Sequence, residues 1–304
     1  MNFYKNDKRF NLFFATGSRH ILWLLFNCNI KNILISYAYR DIFRGTLLLK
    51  QNQVNLLCDS GAFTAWSKGD EVNLDEYIAF IKKNEDLITN SVNLDVIPGK
   101  TGENPTKEQS EQAAAKGWEN LLYMKSKGLD PIHVFHQGDD FKWLDLMLEN
   151  CEYIGVSPCN DFHDNVKQDW LDETFRFILE SKHPDIKTHA FGVTSERLLK
   201  RYPWYSADSS SYSLTAAFGA ILTPFGRFCI SDQNKDDVDY IENKPKEYRE
   251  HLQEYVSQFG FSYKSLQTNC QHRNIVNIMY FVDLENKINS VEYKPEFLRQ
   301  QKLI

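Results

Sequence analysis

Leu56-Leu57-Cys58-Asp59-Ser60-Gly61-Ala62-Phe63 is an apolar run that stops on polar residues and a glycine, and helical spacing resumes over Leu74–Leu87. Those residues predict a short strand, a tight turn and an amphipathic helix. The arrangement recurs along the chain, with runs at Asn11–Thr16, Ile33–Tyr39, Leu56–Phe63, Ser91–Val96, Ile132–Gln137, Tyr153–Ser157, Thr188–Val193 and Tyr205–Ser211. Further helices are expected over Thr106–Lys127, Phe141–Glu149, Gln168–Ser181 and Ser195–Tyr202, with Asn73 and Thr194 as capping residues. Alternation of this kind implies a parallel sheet, and eight repeats imply an α/β chain closed into a (β/α)8 TIM barrel. An open doubly wound sheet would call for a Gly-rich phosphate turn after the first strand, which Thr16-Gly17-Ser18 matches poorly.

After the eighth run, Ala220–Ser231 reads as a hairpin, Lys246–Phe259 as an amphipathic helix, and Arg273–Asn286 as another carrying Ile275, Ile278, Met279 and Val282. The expected organisation is one domain over residues 1–304, with the barrel over about 8–225 and a small C-terminal helical and hairpin appendage over about 226–304. A chain of 304 residues, 42% of them apolar, supports one large core.

Apolar stretches such as Ile21–Phe26 fall far short of the roughly 20 residues a bilayer demands, so no membrane partner is expected. The six cysteines (Cys28, Cys58, Cys151, Cys159, Cys229, Cys270) are scattered without CxxC spacing, which predicts reduced thiols and a cytoplasmic setting. A net charge of −6 argues mildly against a nucleic-acid partner, because phosphate binding depends on Lys and Arg. Local clusters offer a footprint nonetheless: Arg197, Lys200 and Arg201 on one predicted helix, Arg40 with Arg44, and Lys294, Arg299 and Lys302 near the end. Each cluster reads equally well as a solvated face.

In such a barrel the site forms at the C-terminal ends of the strands. Five of the eight runs close on polar residues there: Cys58-Asp59-Ser60-Gly61-Ala62-Phe63, Asn93-Leu94-Asp95, His136-Gln137-Gly138, Ile154-Gly155-Val156-Ser157 and Ala207-Asp208-Ser209. Asp59, Asp95 and Asp208 would thus converge on one mouth. A lone Asp at a strand end is commonly a helix N-cap, but three of them beside Gln137 suit glycosidic bond chemistry, where one carboxylate attacks the anomeric carbon and another handles a proton.

Six motifs in order carry a resemblance: Asp59-Ser60-Gly61-Ala62-Phe63, Asn93-Leu94-Asp95, Val134-Phe135-His136-Gln137-Gly138, Tyr153-Ile154-Gly155-Val156, Phe191-Gly192-Val193-Thr194 and Ala207-Asp208. Together they resemble the tRNA-guanine transglycosylase superfamily over roughly residues 55–225. The resemblance implies that Asp208 is the nucleophile and Asp59 the proton-handling residue. It also implies that Ser60, Asp95, Gln137 and Gly155 bind the base, and that Phe63 and Phe191 sandwich it. The chemistry agrees, because a carboxylate accepts from guanine's N1–H and N2–H2 edge and aromatic faces stack on an extruded base. Phe63 and Phe191 also read as barrel core.

The pattern departs from the tRNA enzymes in several places, among them the absence of the RNA-reading appendages of the archaeal enzymes. Their CxCxxC…His zinc site is represented only by Cys270-Gln271-His272 and a distant Cys229, so no metal or other cofactor is expected. The continuation Asp208-Ser209-Ser210-Ser211 also differs from theirs, and with these departures the pattern as a whole resembles the DpdA branch, the transglycosylase-like proteins of phages and bacterial islands that place 7-deazaguanines in DNA.

What the resemblance implies is a pentosyltransferase of a bacterial or phage-infected cell. It would exchange guanine in a polynucleotide, DNA ahead of tRNA, for a preQ0-like 7-deazaguanine through a covalent aspartyl-glycosyl intermediate, alone or as a homodimer. A catalytically inactive barrel that binds a base or nucleic acid is the alternative from another class. A metal-dependent hydrolase built on His133 and His136 is disfavoured, since residues three apart on a strand face opposite sides.

Overall fold

Strands β1 (Asn11–Ala15), β2 (Asn32–Ser36), β3 (Asn55–Asp59), β4 (Ile88–Ser91), β5 (His133–His136), β6 (Tyr153–Ser157), β7 (Lys187–Ala190) and β8 (Ser206–Ser209) form one sheet in the order β4-β3-β2-β1-β8-β7-β6-β5. Their registers are parallel. Beyond β4, Val92 makes a parallel bridge to Ile132. There the Ile132 N–H donates to Ser91 O and the Asn93 N–H to Ile132 O, both at 2.8 Å. The two outer strands therefore meet, and the sheet closes into the (β/α)8 TIM barrel that the eight runs predict. The structure, a computed structural model, describes residues 9–99, 105–159, 162–291 and 293, with backbone alone for 44–48. The tail residues Lys294, Arg299 and Lys302 lie outside the described residues, as does the Arg44 side chain.

Between the strands run α1 (Arg19–Asn27), α2 (Thr46–Gln51), α3 (Ala62–Ser67), α4 (Leu74–Lys83), α5 (Lys107–Ser126), α6 (Phe141–Asn150), α7 (Asp164–Glu180) and α8 (Glu196–Arg201). Local chemistry sets several starts: the Asn73 side chain accepts from the Glu76 N–H, and Thr106 and Gln109 form a reciprocal capping box. At α8 the cap position is Ser195 instead of the expected Thr194, and its side chain makes no capping bond.

Contacts divide the chain into two units. The first holds the described residues within Met1–Ser18, Lys31–Asp208 and Val291–Ile304, and the second holds Arg19–Ile30 with Ser209–Ser290. The division falls after Asp208, and α1 groups with the C-terminal elements.

In the first unit, Phe13, Leu34, Leu57, Val92, Ile132 and Val134 form one buried cluster. They come from β1, β2, β3, the bridge that joins β4 to β5, and β5, all on one face of the sheet, so this cluster fills the barrel lumen. The intervening residues Leu12, Ile33, Leu56, Cys58 and Phe135 are buried as well, which is why the strands read as near-continuous apolar runs.

The second unit contains α1, α9 (Ser211–Ala217), an antiparallel hairpin of β9 (Ala220–Thr223) and β10 (Gly226–Cys229), then α10 (Lys246–Ser257), α11 (Tyr263–Thr268) and α12 (Cys270–Ser290). Its core gathers Ile221, Phe228, Ile230, Leu252, Val256 and Val276. Asn277 is fully buried there and satisfied on both ends: its amide donates to Tyr212 O and Ala220 O, and its oxygen accepts from the Leu222 N–H. No described helix is long and apolar enough to cross a membrane.

Candidate active site

Side chains alternate along a strand, so two steps beyond a lumen residue lies another inward position, nearer the C-terminal mouth. From Leu34, Leu57 and Val134 that step reaches Ser36, Asp59 and His136. Along β7 and β8 it leads from His189 to Phe191 and from Ser206 to Asp208. The polar closings of the runs thus ring the mouth.

Asp59 ends β3, and its Oδ2 accepts from the Gly61 N–H at 3.1 Å. Gly61 holds φ = +77°, and a Cβ there would stand 3.0 Å from the Ala38 nitrogen and 3.1 Å from Ser36 Oγ. The third residue of the Asp-Ser-Gly motif is therefore glycine for steric reasons, and the turn it makes aims an amide at the carboxylate. Burial pushes the Asp59 carboxyl up to about 6, and the charges of Asp95 and Asp208 add to this, against hydrogen bonds from Ser36 and Gly61 that pull the other way. Asp59 is thus poised to take and give a proton near neutrality.

Asp95 lies beyond β4 on an irregular segment pinned to α5. Asn93, fully buried, donates to Gly117 O at 2.9 Å, and Asn120 donates to Leu94 O at 2.8 Å. Ser60 Oγ donates to Asp95 Oδ1 at 3.4 Å. His136 Nε2 stands 3.0 Å from Asp95 Oδ2, an ion-pair distance without the alignment of a hydrogen bond. Burial alone would lower the His136 imidazole, but Asp95 and then Asp139 outweigh it and hold it above its usual value. His133 faces the other way, packed on Trp118 with ring centroids 5.6 Å apart, and burial pushes it down to about 4. The two histidines do not form a pair.

Asp208 Oδ1 lies 3.3 Å from Nε2 of His189, a side chain buried completely inside the barrel. On the ring's other edge, Nδ1 is 2.6 Å from Ser206 Oγ and 3.3 Å from the Tyr153 hydroxyl, and those two hydroxyls are themselves hydrogen-bonded. Sequence reasoning passed over His189, as well as the pairing of His136 with Asp95. The available signal was the alternation itself, because His189 sits two residues before Phe191 and opposite Ser206 in the register.

The other expected residues separate. Phe191 packs on the Gly155 backbone, where a Cβ would lie 2.5 Å from its ring, and its centroid is 4.3 Å from that of His189. Phe63 is 62% exposed on α3, 5.7 Å from Trp66. Phe191 therefore serves the lumen wall as well as the mouth, while Phe63 is largely open to solvent. Gln137 Oε1 accepts from the Cys159 N–H at 3.0 Å, leaving its NH2 as the donating end.

Of the basic trio, Arg201 is committed to a bidentate ion pair with Asp172 at 2.8 and 2.6 Å, both side chains nearly buried. Arg197 bonds Gln168 and Asn165, and Lys200 pairs with Glu196, all at the surface. Any phosphate contact would fall to the last two. We expect Gly155→Ala to destabilise the protein by about 1–3 kcal/mol, since the added methyl must displace the Phe191 ring. A lowered denaturant midpoint at unchanged slope is the measurement that checks it.

No known family model matches the chain, and no curated protein does. Among solved structures, one similar chain is the 4-hydroxy-2-oxoglutarate aldolase/2-deydro-3-deoxyphosphogluconate aldolase from TTHB1, at 11% identity and a TM-score of 0.38, over 67% of this chain and 84% of that one. A likeness so slight says nothing of activity.

Proposed function

We propose that the chain is a guanine transglycosylase that exchanges guanine in a polynucleotide, DNA ahead of tRNA, for a 7-deazaguanine. The observation that carries this reading is the carboxylate pair at the ends of β3 and β8. Asp59 titrates near neutrality and feels the charge of Asp208, while Asp208 is held by an imidazole. Two carboxyl groups in one mouth but in different surroundings suit a proton carrier and a nucleophile.

In this reaction a guanosine is extruded into the mouth. Asp208 forms a bond to C1′ as the bond from C1′ to N9 breaks, and the departing guanine takes up the proton of Asp59. The sugar remains as an ester of Asp208. A 7-deazaguanine enters, Asp59 removes its N9 proton, N9 attacks C1′, and the Asp208 carboxylate leaves. Two displacements retain the anomeric configuration, and the glycosidic bond is remade without nucleotide triphosphate. Asp95 supplies the acceptor for the base's N1–H and N2–H2 edge, with Ser60 bracing it.

Incubating the protein with DNA or tRNA and labelled guanine or preQ0, followed by digestion to nucleosides, tests the reading. Label in a deoxynucleoside is expected. Label only in a ribonucleoside moves the substrate to tRNA, and no label despite nucleic-acid binding leaves a binding module. Asp95→Ala is expected to lose about 1–3 kcal/mol of discrimination between guanine and hypoxanthine, which lacks the 2-amino group. The ratio of kcat/KM for the two free bases measures it, and an unchanged ratio removes Asp95 from the pocket.

A further inference from the structure

We propose that His189 is a positioning residue for Asp208, donating from Nε2 to Oδ1 at the end of a one-directional hydrogen-bond chain that runs from Tyr153 through Ser206. The assignment of Asp208 as nucleophile rests on the transglycosylase reading; the chain itself rests on geometry. His189 and Ser206 are fully buried, so their polar atoms must be satisfied by one another. An ionised carboxylate only accepts, which requires the ring proton on Nε2, 3.3 Å from Oδ1. In the neutral ring Nδ1 is then an acceptor. Ser206 Oγ, at 2.6 Å, donates to it, and the Tyr153 hydroxyl donates to Ser206 in turn. Burial pushes the Tyr153 hydroxyl up, so it keeps the proton that starts the chain. The reverse direction would set the Nε2 lone pair against a carboxylate oxygen in a water-poor interior, where such a repulsion is strong.

This chain divides the work of the two Asp208 oxygens. With Oδ1 engaged, Oδ2 is the oxygen that attacks C1′. In the ester, Oδ1 becomes the carbonyl oxygen and keeps the His189 bond. When the bond from C1′ to Oδ2 breaks in the second displacement, the electron pair returns to the carboxylate, and the Nε2–H already faces the oxygen that shares the charge. No proton leaves His189 in either step.

Nitrogen-15 NMR of histidine-labelled whole protein reads the tautomer directly, without substrate. A neutral ring protonated on Nε2 is expected, and Ser206→Ala should redistribute the proton between the two nitrogens. In exchange assays on DNA or tRNA, His189→Leu is expected to lower kcat about 100-fold with KM nearly unchanged. His189→Gln, whose Nε2 can still donate, should recover to within about 10-fold of wild type. A proton on Nδ1 alone, an imidazolium at pH 7, or equal losses in the Leu and Gln variants would each overturn the proposal. Wild-type protein that exchanges no base on either polymer while showing the expected tautomer would instead sink the transglycosylase reading and keep the hydrogen-bond chain, so the two fail separately.

Discussion

Asp208→Asn is expected to lower base exchange by more than about 10³-fold while polynucleotide binding stays within several-fold of wild type, because the amide keeps the shape of the side chain but cannot attack C1′. The wild-type protein should also show the intermediate. Mixed with a guanine-containing oligonucleotide and denatured before a replacement base is added, it should yield protein plus oligonucleotide minus guanine, a species that vanishes on adding free base. The Asn variant should never form it. Near-normal turnover in Asp208→Asn would remove that residue from the role. A product of inverted anomeric configuration, with no adduct by rapid-quench mass spectrometry, would favour direct displacement and leave Asp208 as an electrostatic group.

Asp59→Asn is expected to lose exchange and gain stability at once. The folded protein holds the Asp59 proton up to about pH 6, whereas an unfolded chain releases it near pH 3.9. The folded form is thus the tighter proton binder, so the stabilisation that protonation brings is complete below pH 4 and is lost as pH rises through 6. About two pK units correspond to roughly 3 kcal/mol at most, and partial access to water lowers this to about 1–2 kcal/mol. Asparagine has no charge to bury and still accepts from Gly61. Denaturant melts should therefore find the variant more stable than wild type at pH 8 by about that amount and equal to it at pH 4. Equal stability at both pH values would place the Asp59 carboxylate in water.

Much of the barrel was readable because parallel strands buried on both faces leave apolar runs. Tyr153–Ser157 coincides with β6, and Phe141–Glu149 with all but the last residue of α6. Errors arose where burial and pairing part company. The run Ser91–Val96 begins where β4 ends, because Ile88-Thr89-Asn90-Ser91 carries the strand on polar residues while Val92 and Leu94 are buried beyond it. Ile33–Tyr39 overshoots β2, whose chain turns into a 3-10 segment from Tyr37. The candidate carboxylates were legible because a charged residue closing an apolar strand is conspicuous. His189 was not, because a histidine inside a strand reads as core, and only its register against Ser206 shows that it faces Asp208. Arg201 misled for the converse reason: a cation on a helix has no visible partner in sequence, and Asp172 lies on another helix.

The bridge between Val92 and Ile132 joins two strands that otherwise have no ladder between them. A cylinder stitched by one bridge at that position resists opening there least, so the amide protons of Asn93 and Ile132, the two that donate across it, should exchange with solvent sooner than those between β2 and β3, which pair along five residues. Asp95 and His136 stand just past this seam, one on each side. Local breathing of the wall therefore changes the separation of these two side chains before that of residues on strands joined by full ladders.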